Sequence, residues 1–233
     1  MWNASVVAVP ATESIQRPDF MPYQNNGGTV VAIGGEDYCI VSATTRLGLG
    51  FAIPTRNVCR YSILNNRVVL ATAGMFADTV TLHKVIKARV KIYEEQQDKP
   101  FELRSAAQLL SNTLYYRRFF PYYTFNVLGG LDEDGQGFVY GFDAIGSGEK
   151  VKVVCNGTGQ ALIQPILDNQ VERKQQYENK QITNLSLEEA LDLVKDVFTS
   201  AGERDIYTGD AVDICIITKQ RGVFVETFQL KQD

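Results

Sequence analysis

Residues 27–46, GGTVVAIGGEDYCIVSATTR, decide the fold of this chain. Their two apolar runs, TVVAI and YCIV, are separated by the turn-forming residues GGED, and this arrangement predicts a β-hairpin. A second pair of strands follows, in which residues 67–73, RVVLATA, are apolar enough to be buried on both faces of a sheet. The fold therefore begins with antiparallel β structure.

Beyond residue 78 the spacing of apolar residues changes from strand-like to helical. Residues 82, 83, 86, 90 and 93 share one face, which predicts a helix from 79 to about 97. The same spacing at residues 103, 106, 110, 114 and 117 predicts a second helix that ends before Pro121. Two helices thus follow each other directly along the chain.

The second half of the chain returns to strands, then helices, then strands. Ser186 and Glu189 form a capping box, which predicts the start of a helix whose apolar stripe extends to Phe198. The other predicted elements are strands at 123–128 and 137–142, separated by Gly129-Gly130 and the acidic turn 132–135; one strand at 151–155; a helix from 159 to about 171; a polar loop at 172–184; and strands at 212–218 and 222–230. We therefore expect an α+β fold, with two antiparallel sheets packed face to face between helical layers.

Composition restricts the possible classes of function. The 233 residues, 45% hydrophobic and 21% charged, suit one domain with a substantial core. No segment approaches the roughly 20 apolar residues that a membrane-spanning helix needs, and a net charge of −4 provides no basic surface for nucleic acid. Residues 1–10 lack the features of a secretory signal, so we expect a location in the cytoplasm and nucleus.

Residues for the common catalytic and metal sites are scarce. His83 is the single histidine, and it falls in the first helical pattern, where we interpret it as a polar residue at the edge of an apolar face. Cys39, Cys59, Cys155 and Cys215 are widely spaced without a CxxC pair, so we expect buried free thiols and no zinc site. The sequence predicts no metal and no cofactor.

Several motifs resemble the β subunits of the 20S proteasome. Active members of that family expose an N-terminal threonine just before a strand similar to GGTVVAI. The remaining motifs that resemble the family are TTR at 44–46, similar to its Asp-Ser-Arg; GGLD at 129–132, similar to its Gly-Trp-Asp; GTG at 157–159, similar to its Gly-Ser-Gly; and RDIYTGDA at 204–211, similar to its Arg-Asp-x-Tyr-Ser-Gly. This resemblance runs from Gly27 to the C-terminus and implies the four-layer αββα sandwich of the N-terminal-nucleophile hydrolases.

The same resemblance implies that the chain has lost its catalytic residues. An active member uses the threonine hydroxyl as nucleophile and its own α-amine as base, with a neighbouring aspartate and lysine. Those three positions align here with Gly27, Thr44 and Arg60. Glycine has no hydroxyl, threonine has no carboxylate, and a guanidinium stays protonated. We therefore expect a non-catalytic structural subunit.

A second interpretation keeps the chain catalytic, with cleavage after Gly28 and Thr29 as the nucleophile. The family spacing counted from Thr29 reaches Thr45 and Tyr61, or Arg46 and Ser62 if one residue is inserted. Neither register supplies both an acid and an amine. A free-standing binding module on the same fold is a third alternative.

Three residues at supporting positions of the family's site do remain. They are Thr158, Asp205 and Thr208. In a chain without a nucleophile we expect them to hold the backbone of the degenerate site.

The resemblance also implies partners and a domain organisation. Residues 117–123, RRFFPYY, and 167–170, LDNQ, resemble the sixth β subunit of the eukaryotic ring, which lies between the fifth and seventh β subunits and contacts the opposite β ring and an α ring. Such a subunit supports assembly of the particle and degradation of proteins, including ubiquitinated ones. The proteasome domain would comprise 27–233, after a propeptide-like extension, 1–26, docked on the inner surface or at a subunit interface.

Asp132 is a candidate for contact with a neighbour's substrate. In similar sixth β subunits the corresponding turn faces the substrate channel of the active fifth subunit. The alternative is that Asp132 only caps a solvated hairpin turn.

Overall fold

The computed structural model describes residues 21–173 and 184–232. Within these ranges the elements are, in chain order, β1 (Thr29–Gly34), β2 (Tyr38–Thr44), β3 (Leu47–Leu49), β4 (Ala52–Thr55), β5 (Tyr61–Asn65), β6 (Val68–Gly74), α1 (Phe76–Gln97), α2 (Leu103–Tyr115), β7 (Thr124–Leu131), β8 (Gly137–Phe142), β9 (Gly148–Val151), β10 (Val153–Gly157), α3 (Gln160–Leu167), a π-helical turn (Asp168–Glu172), α4 (Leu187–Gly202), β11 (Ala211–Thr218) and β12 (Gly222–Gln229). Most of the predicted polar loop, and residues 1–20 of the predicted extension, lie outside the described residues.

The strands form two five-stranded sheets and one short ribbon. The first sheet has the order β10-β1-β2-β11-β12, the second has the order β5-β6-β7-β8-β9, and β3 pairs with β4 in the ribbon. Neighbouring strands are antiparallel, and the predicted hairpins β1–β2, β7–β8 and β11–β12 are confirmed. The β3–β4 ribbon was not predicted.

Alternation of side chains along the strands divides the apolar residues among three cores. On β1, Val30 and Ala32 face the second sheet, whereas Val31 and Ile33 pack with α3 and α4. On β6, Leu70 packs against α1 and α2 on the other side of the second sheet. The layers are therefore α1 and α2, the second sheet, the first sheet, then α3 and α4. This order confirms the predicted α+β αββα sandwich.

The helices agree with their predicted positions, apart from the start of α1. This helix begins at Phe76, three residues early, because the side-chain oxygen of Asn26 accepts the Phe76 backbone N–H at 2.9 Å and satisfies the first turn. At the start of α4 the capping box is confirmed, since Ser186 Oγ accepts the Glu189 N–H at 3.3 Å and Glu189 accepts the Ser186 N–H at 2.8 Å. Within the described ranges, no helix is both long and apolar enough to cross a membrane.

The prediction of a single strand at 151–155 is wrong. Val151 ends β9, opposite Val139 in the second sheet, whereas Val153 begins β10, opposite Ile33 in the first sheet. The carbonyl of Lys152 accepts the Gly34 N–H at 2.8 Å at this corner. The apolar run at 151–155 thus contributes residues to both sheets, because the chain crosses from one sheet to the other at Lys152.

The prediction that Gly129 and Gly130 form a turn is also wrong, because both lie inside β7. A β-carbon on Gly129 would collide with the Val41 side chain and lie 2.9 Å from Cys39 Sγ. Gly129 therefore allows the two sheets to approach each other closely.

The cysteine prediction holds for three of the four residues. Cys39, Cys155 and Cys215 are buried free thiols, and burial raises the pKa of Cys39 to about 12. Cys59 is exposed, contrary to prediction. It alternates with the buried neighbours Val58 and Arg60, so its side chain faces solvent.

Candidate functional site

Strand pairing assembles the predicted site residues other than Asp132 at one end of the first sheet. The start of β1 meets the ends of β10 and β2, because Thr29 is opposite Gly157 and Val30 is opposite Ala43. The turn that contains Asp205 and Thr208 leads into β11, whose Val212 is opposite Thr44. Antiparallel topology thus gathers residues from four separate parts of the sequence.

Gly27, the position aligned with the nucleophile, has no room for a side chain. Its backbone is left-handed, with φ of 64°. Its carbonyl accepts the Gly74 N–H at 3.1 Å, and its N–H donates to the Asn25 side chain at 2.9 Å. A β-carbon here would lie 2.7 Å from Cβ and Cγ of Tyr207. The backbone conformation and the Tyr207 ring therefore both exclude threonine.

The residue before Gly27 is firmly integrated into the fold. Asn26 donates its backbone N–H to Gly74 at 3.2 Å and its side-chain amide to Gly48 at 3.1 Å. Its backbone carbonyl accepts from Gly48 at 3.2 Å and from Arg60 at 2.9 Å, while its side-chain oxygen caps α1 at Phe76. In the described chain, where Asn26 precedes it, the nitrogen of Gly27 is an amide.

Arg60, aligned with the catalytic lysine, is a fully buried cation. One terminal nitrogen donates to the carbonyls of Asn26 and Arg46, both at 2.9 Å, while Nε and the other terminal nitrogen have no partner among the described residues. Burial lowers its pKa to about 10, which leaves it protonated at neutral pH. A β-carbon on Gly28 would lie 2.6 Å from the guanidinium, so Arg60 covers that glycine.

Thr44, which we align with the catalytic aspartate, connects β2 to β1 through side-chain hydrogen bonds. Its hydroxyl accepts the Thr29 N–H at 3.0 Å and lies 3.4 Å from the Thr29 carbonyl, to which it donates. It carries no charge to balance Arg60. Arg60 also has no carboxylate partner among the ion pairs of the described residues.

The three supporting residues do come together, around Thr29. Asp205 Oδ2 accepts the hydroxyls of Thr158 and Thr208, both at 2.6 Å, and Oδ1 accepts the Tyr207 N–H at 3.1 Å. Because Thr208 donates to Asp205, its oxygen accepts the Thr29 hydroxyl, 2.8 Å away. Thr29 Oγ1 in turn accepts the Gly159 N–H at 2.9 Å. The fully buried Thr29 hydroxyl is thus held on both sides and faces no base.

A buried ion pair holds the turn behind this network. Arg46 Nε lies 2.8 Å from Asp210 Oδ2, and Arg46 Nη2 lies 3.2 Å from Oδ1. Burial raises the pKa of Asp210, but hydrogen bonds and charge from Arg46 and Arg56 outweigh burial and place it below its ordinary value. The sequence motifs contained Arg46 and Asp210 without showing that they pair.

An open cleft of about 260 Å³ borders Gly27, Gly28, Thr158 and Tyr123. Its lining contains no carboxylate, amine or imidazole. Among the described residues, no group of three histidine, cysteine, aspartate or glutamate side chains is placed to hold a metal ion.

Asp132 lies at the opposite end of β7 from this site. β7 starts beside Gly74, opposite Thr124, whereas Asp132 follows its last residue. Asp132 Oδ1 accepts the Gln136 N–H at 2.8 Å, so the predicted turn cap is present. The side chain also lines a cavity of about 260 Å³ with Arg104 and Lys150.

Asn26 and Tyr207 are the important residues that the sequence interpretation missed. Asn26 precedes two glycines in no recognised motif, and Tyr207 lies inside RDIYTGDA without any sign of its contact with Gly27.

Known proteins resemble the chain over nearly its whole length. A family described as proteasome subunit matches residues 24–217. The proteasome subunit beta type-1 of Arabidopsis thaliana is 48% identical over 94% of this chain and 99% of the relative. The protein of the same name from Dictyostelium discoideum is 46% identical over 95% and 94%. The proteasome subunit beta type-6 of Saccharomyces cerevisiae is 39% identical over 99% and 100%.

Proposed function

Because this chain belongs to the proteasome subunit family, as a β subunit of the core particle, we propose that it is a structural, non-catalytic member of that assembly. The observation that carries this proposal is Gly27, which is left-handed, packed against Tyr207 and joined to a buried Asn26. At this position an active member needs a free amine and an exposed hydroxyl.

The geometry around Thr29 favours this proposal over the catalytic alternative. The Thr29 hydroxyl is buried, and Thr208 and Gly159 occupy its hydrogen-bonding positions. The Gly28 carbonyl, next to the required cleavage point, accepts the Thr158 N–H at 3.1 Å. Cleavage after Gly28 would also require the Arg60 side chain, which covers that glycine, to move away.

We propose the sixth position of the β ring, between the fifth and seventh subunits. The support is the resemblance of residues 117–123 and 167–170 to that subunit, together with the yeast relative named beta type-6. Other relatives are named beta type-1, so the ring position rests on these segments. Cross-linking mass spectrometry of the particle tests it, and cross-links to a different pair of β subunits would overturn it.

In this role the chain supports assembly and protein degradation in the cytoplasm and nucleus. We propose that residues 1–26 are a propeptide-like extension to the domain at 27–233. Thr158, Asp205 and Thr208 would keep the degenerate site folded, and Asp132 would contact substrate bound to the fifth subunit. The contacts of Asn26 support an extension that stays attached at Gly27.

The experiment is purification of the native particle through a tag on this chain, followed by reaction with a threonine-directed epoxyketone. Other β subunits should be labelled and this chain should not. Labelling of this chain would overturn the non-catalytic role. Recovery of the chain without other proteasome subunits would overturn its place in the assembly.

A further inference from the structure

The N-terminal extension contacts an exposed aromatic surface at the point where the described chain begins. The Tyr23 ring lies 5.6 Å, between centroids, from the rings of both Phe120 and Tyr123. Its hydroxyl donates to the Pro121 carbonyl at 2.8 Å. Met21, two residues earlier, is 77% exposed. Residues 1–20 are therefore joined to the fold at a point that is anchored beside the end of α2.

The surface next to this anchor consists of aromatic and arginine side chains. Residues 115–120, YYRRFF, are all exposed, including Tyr116 at 86% and Phe119 at 87%. We call residues 115–120 the aromatic–arginine platform. Single exposed apolar residues are ordinary on a protein surface, whereas a contiguous group marks a surface that binds another segment or molecule.

The two arginines of the platform have no acidic partner in the described structure. The guanidinium carbon of Arg118 lies 4.3 Å from the ring centre of Phe119 and 4.8 Å from that of Tyr115. The guanidinium carbon of Arg117 lies 4.6 Å from the ring centre of Tyr122. Neither arginine forms an ion pair with any described residue. Their donors are thus available to a carboxylate that approaches beside the exposed rings.

The sequence of residues 1–20 offers the groups that would complement this platform. Its two carboxylates are Glu13 and Asp19, and its larger apolar residues are Trp2, Val6, Val7, Val9, Ile15 and Phe20. Phe20 and Asp19 adjoin Met21, so an apolar ring and a carboxylate come first along the chain from the anchor.

The short tether makes contact within the chain favourable even if each contact is weak. Asp19 is four residues from Tyr23, which limits the distance between their Cα atoms to about 14 Å. A tether this short gives an effective concentration of about a millimolar. A second copy of the chain, or any other molecule, would have to compete with that concentration.

We propose that residues 1–20 dock on the aromatic–arginine platform of their own chain, with Asp19 paired to Arg118 and Phe20 packed on the exposed rings. Arg118 is the arginine whose guanidinium lies over two exposed rings, so one segment meets the charge and the rings together. Docked in this way, the extension shields the platform from other molecules. The proposal does not depend on the proposed function, because both docking partners belong to this chain.

The first test places a benzoylphenylalanine photo-cross-linker at position 119 of the purified full chain. Cross-links within one chain to residues 1–20, concentrated at Phe20, are the expected result. A second variant carries the same group at position 116, which is 86% exposed, and should give the same cross-links. Urea unfolding checks that both variants fold.

The control carries the cross-linker at position 92, where Ile92 is exposed. Its neighbour Tyr93 packs on Phe101, beside the start of α2, so position 92 lies near the opposite end of that helix from the platform. Residues 1–20 should not be cross-linked from there. Equal cross-linking from positions 92 and 119, cross-links between two copies of the chain, or no cross-links to residues 1–20 would overturn the proposal.

The second test exchanges the charges of the proposed pair in the chain with the cross-linker at position 119. Asp19→Lys should lower the yield of cross-links to residues 1–20 by about threefold, as expected for an exposed ion pair. Adding Arg118→Asp to Asp19→Lys should restore most of that yield, which a merely structural role of either residue would not do. An unchanged yield in Asp19→Lys, or no recovery in the exchanged pair, would overturn the pairing of Asp19 with Arg118.

Discussion

On one side of the degenerate site, Gly27, Thr44 and Arg60 carry none of the groups that a threonine nucleophile requires. On the other side, Thr158, Asp205 and Thr208 form a complete hydrogen-bonded chain. The second group also holds Thr29 and the Gly28 backbone, so it has a structural role that does not depend on catalysis. Under the proposed non-catalytic role, the residues that changed are those that would serve chemistry alone, and the residues with a structural role remain.

The largest loss of stability should come from placing a threonine at Gly27, the position that we align with the nucleophile. Gly27→Thr adds a side chain to a left-handed backbone and into the Tyr207 ring, so unfolding should become easier by about 2 to 5 kcal/mol. Gly50→Thr is the matched control, because Gly50 is also left-handed, with φ of 58°, but has no atoms within 4 Å of the added β-carbon. Urea unfolding measures both variants.

Gly27→Thr should also create no activity, because Thr44 and Arg60 leave the base without its electrostatic partners. Epoxyketone labelling of the variant chain would contradict the prediction that it is inactive. Stability equal to that of Gly50→Thr would contradict the prediction that the Tyr207 ring excludes a side chain at position 27.

A buried hydrogen-bonded network around His83 lies outside the site. It serves as a reference for how much such a network contributes to the stability of the fold. Thr72 donates to Asn126 at 2.8 Å, so its oxygen accepts His83 Nε2–H at 2.7 Å, and Nδ1 accepts the Ser62 hydroxyl at 2.9 Å. His83 is therefore neutral in the folded protein, and burial lowers its pKa from 6.5 to about 4.

The unfolded chain binds the His83 proton more readily, so this contribution to stability is complete above pH 6.5 and is lost as the pH falls towards 4. The full loss is about 3 kcal/mol. Unfolding of wild type and His83→Gln at intervals across this range should show their difference shrinking as pH falls. A difference independent of pH would contradict the assignment of neutral His83.

On the retained side, Asp205→Asn should destabilise the fold by about 2 kcal/mol, because two hydroxyl donors would lose a charged acceptor. The matched control is Asp213→Asn, since Asp213 accepts the Thr227 hydroxyl at 2.9 Å on the exposed surface. That change should cost less than about 0.5 kcal/mol. Equal effects in urea unfolding would show that the retained network has no special structural role.

Substitution of Asp132 tests the proposal that this residue contacts substrate bound to a neighbouring active subunit. One oxygen caps the turn at Gln136, and the other would accept a hydrogen bond from substrate. Asp132→Ala should lower kcat/KM for long peptides at the fifth subunit by about ten- to a hundredfold, with the other active sites unchanged.

Asp134→Ala in the same turn is the control, and fluorogenic substrates for each active subunit provide the measurement. An equal fall at every site would indicate an assembly defect. No change at any site would leave Asp132 as a turn residue.

The sequence predicted elements that depend on local patterns and missed features that depend on contacts between distant residues. Helical periodicity and the Ser186 capping box located α1, α2 and α4 because those signals lie within one segment. The crossing of the chain at Lys152 could not be predicted, because either sheet satisfies an apolar run.

At the site, motif resemblance predicts that Gly27, Thr44 and Arg60 occupy changed catalytic positions, and this assignment stays a prediction. The contact of Tyr207 with Gly27 and the five hydrogen bonds of Asn26 join residues far apart in sequence, so only the folded chain reveals them.

The most direct test of the non-catalytic account is the intact mass of this chain, isolated from native core particles after epoxyketone treatment. The account predicts a chain that still contains Asn26 and carries no inhibitor, since Asn26 caps α1 and anchors Arg60. A chain that begins at Thr29 with one inhibitor bound would contradict it, and so would loss of Asn26 by cleavage before Gly27.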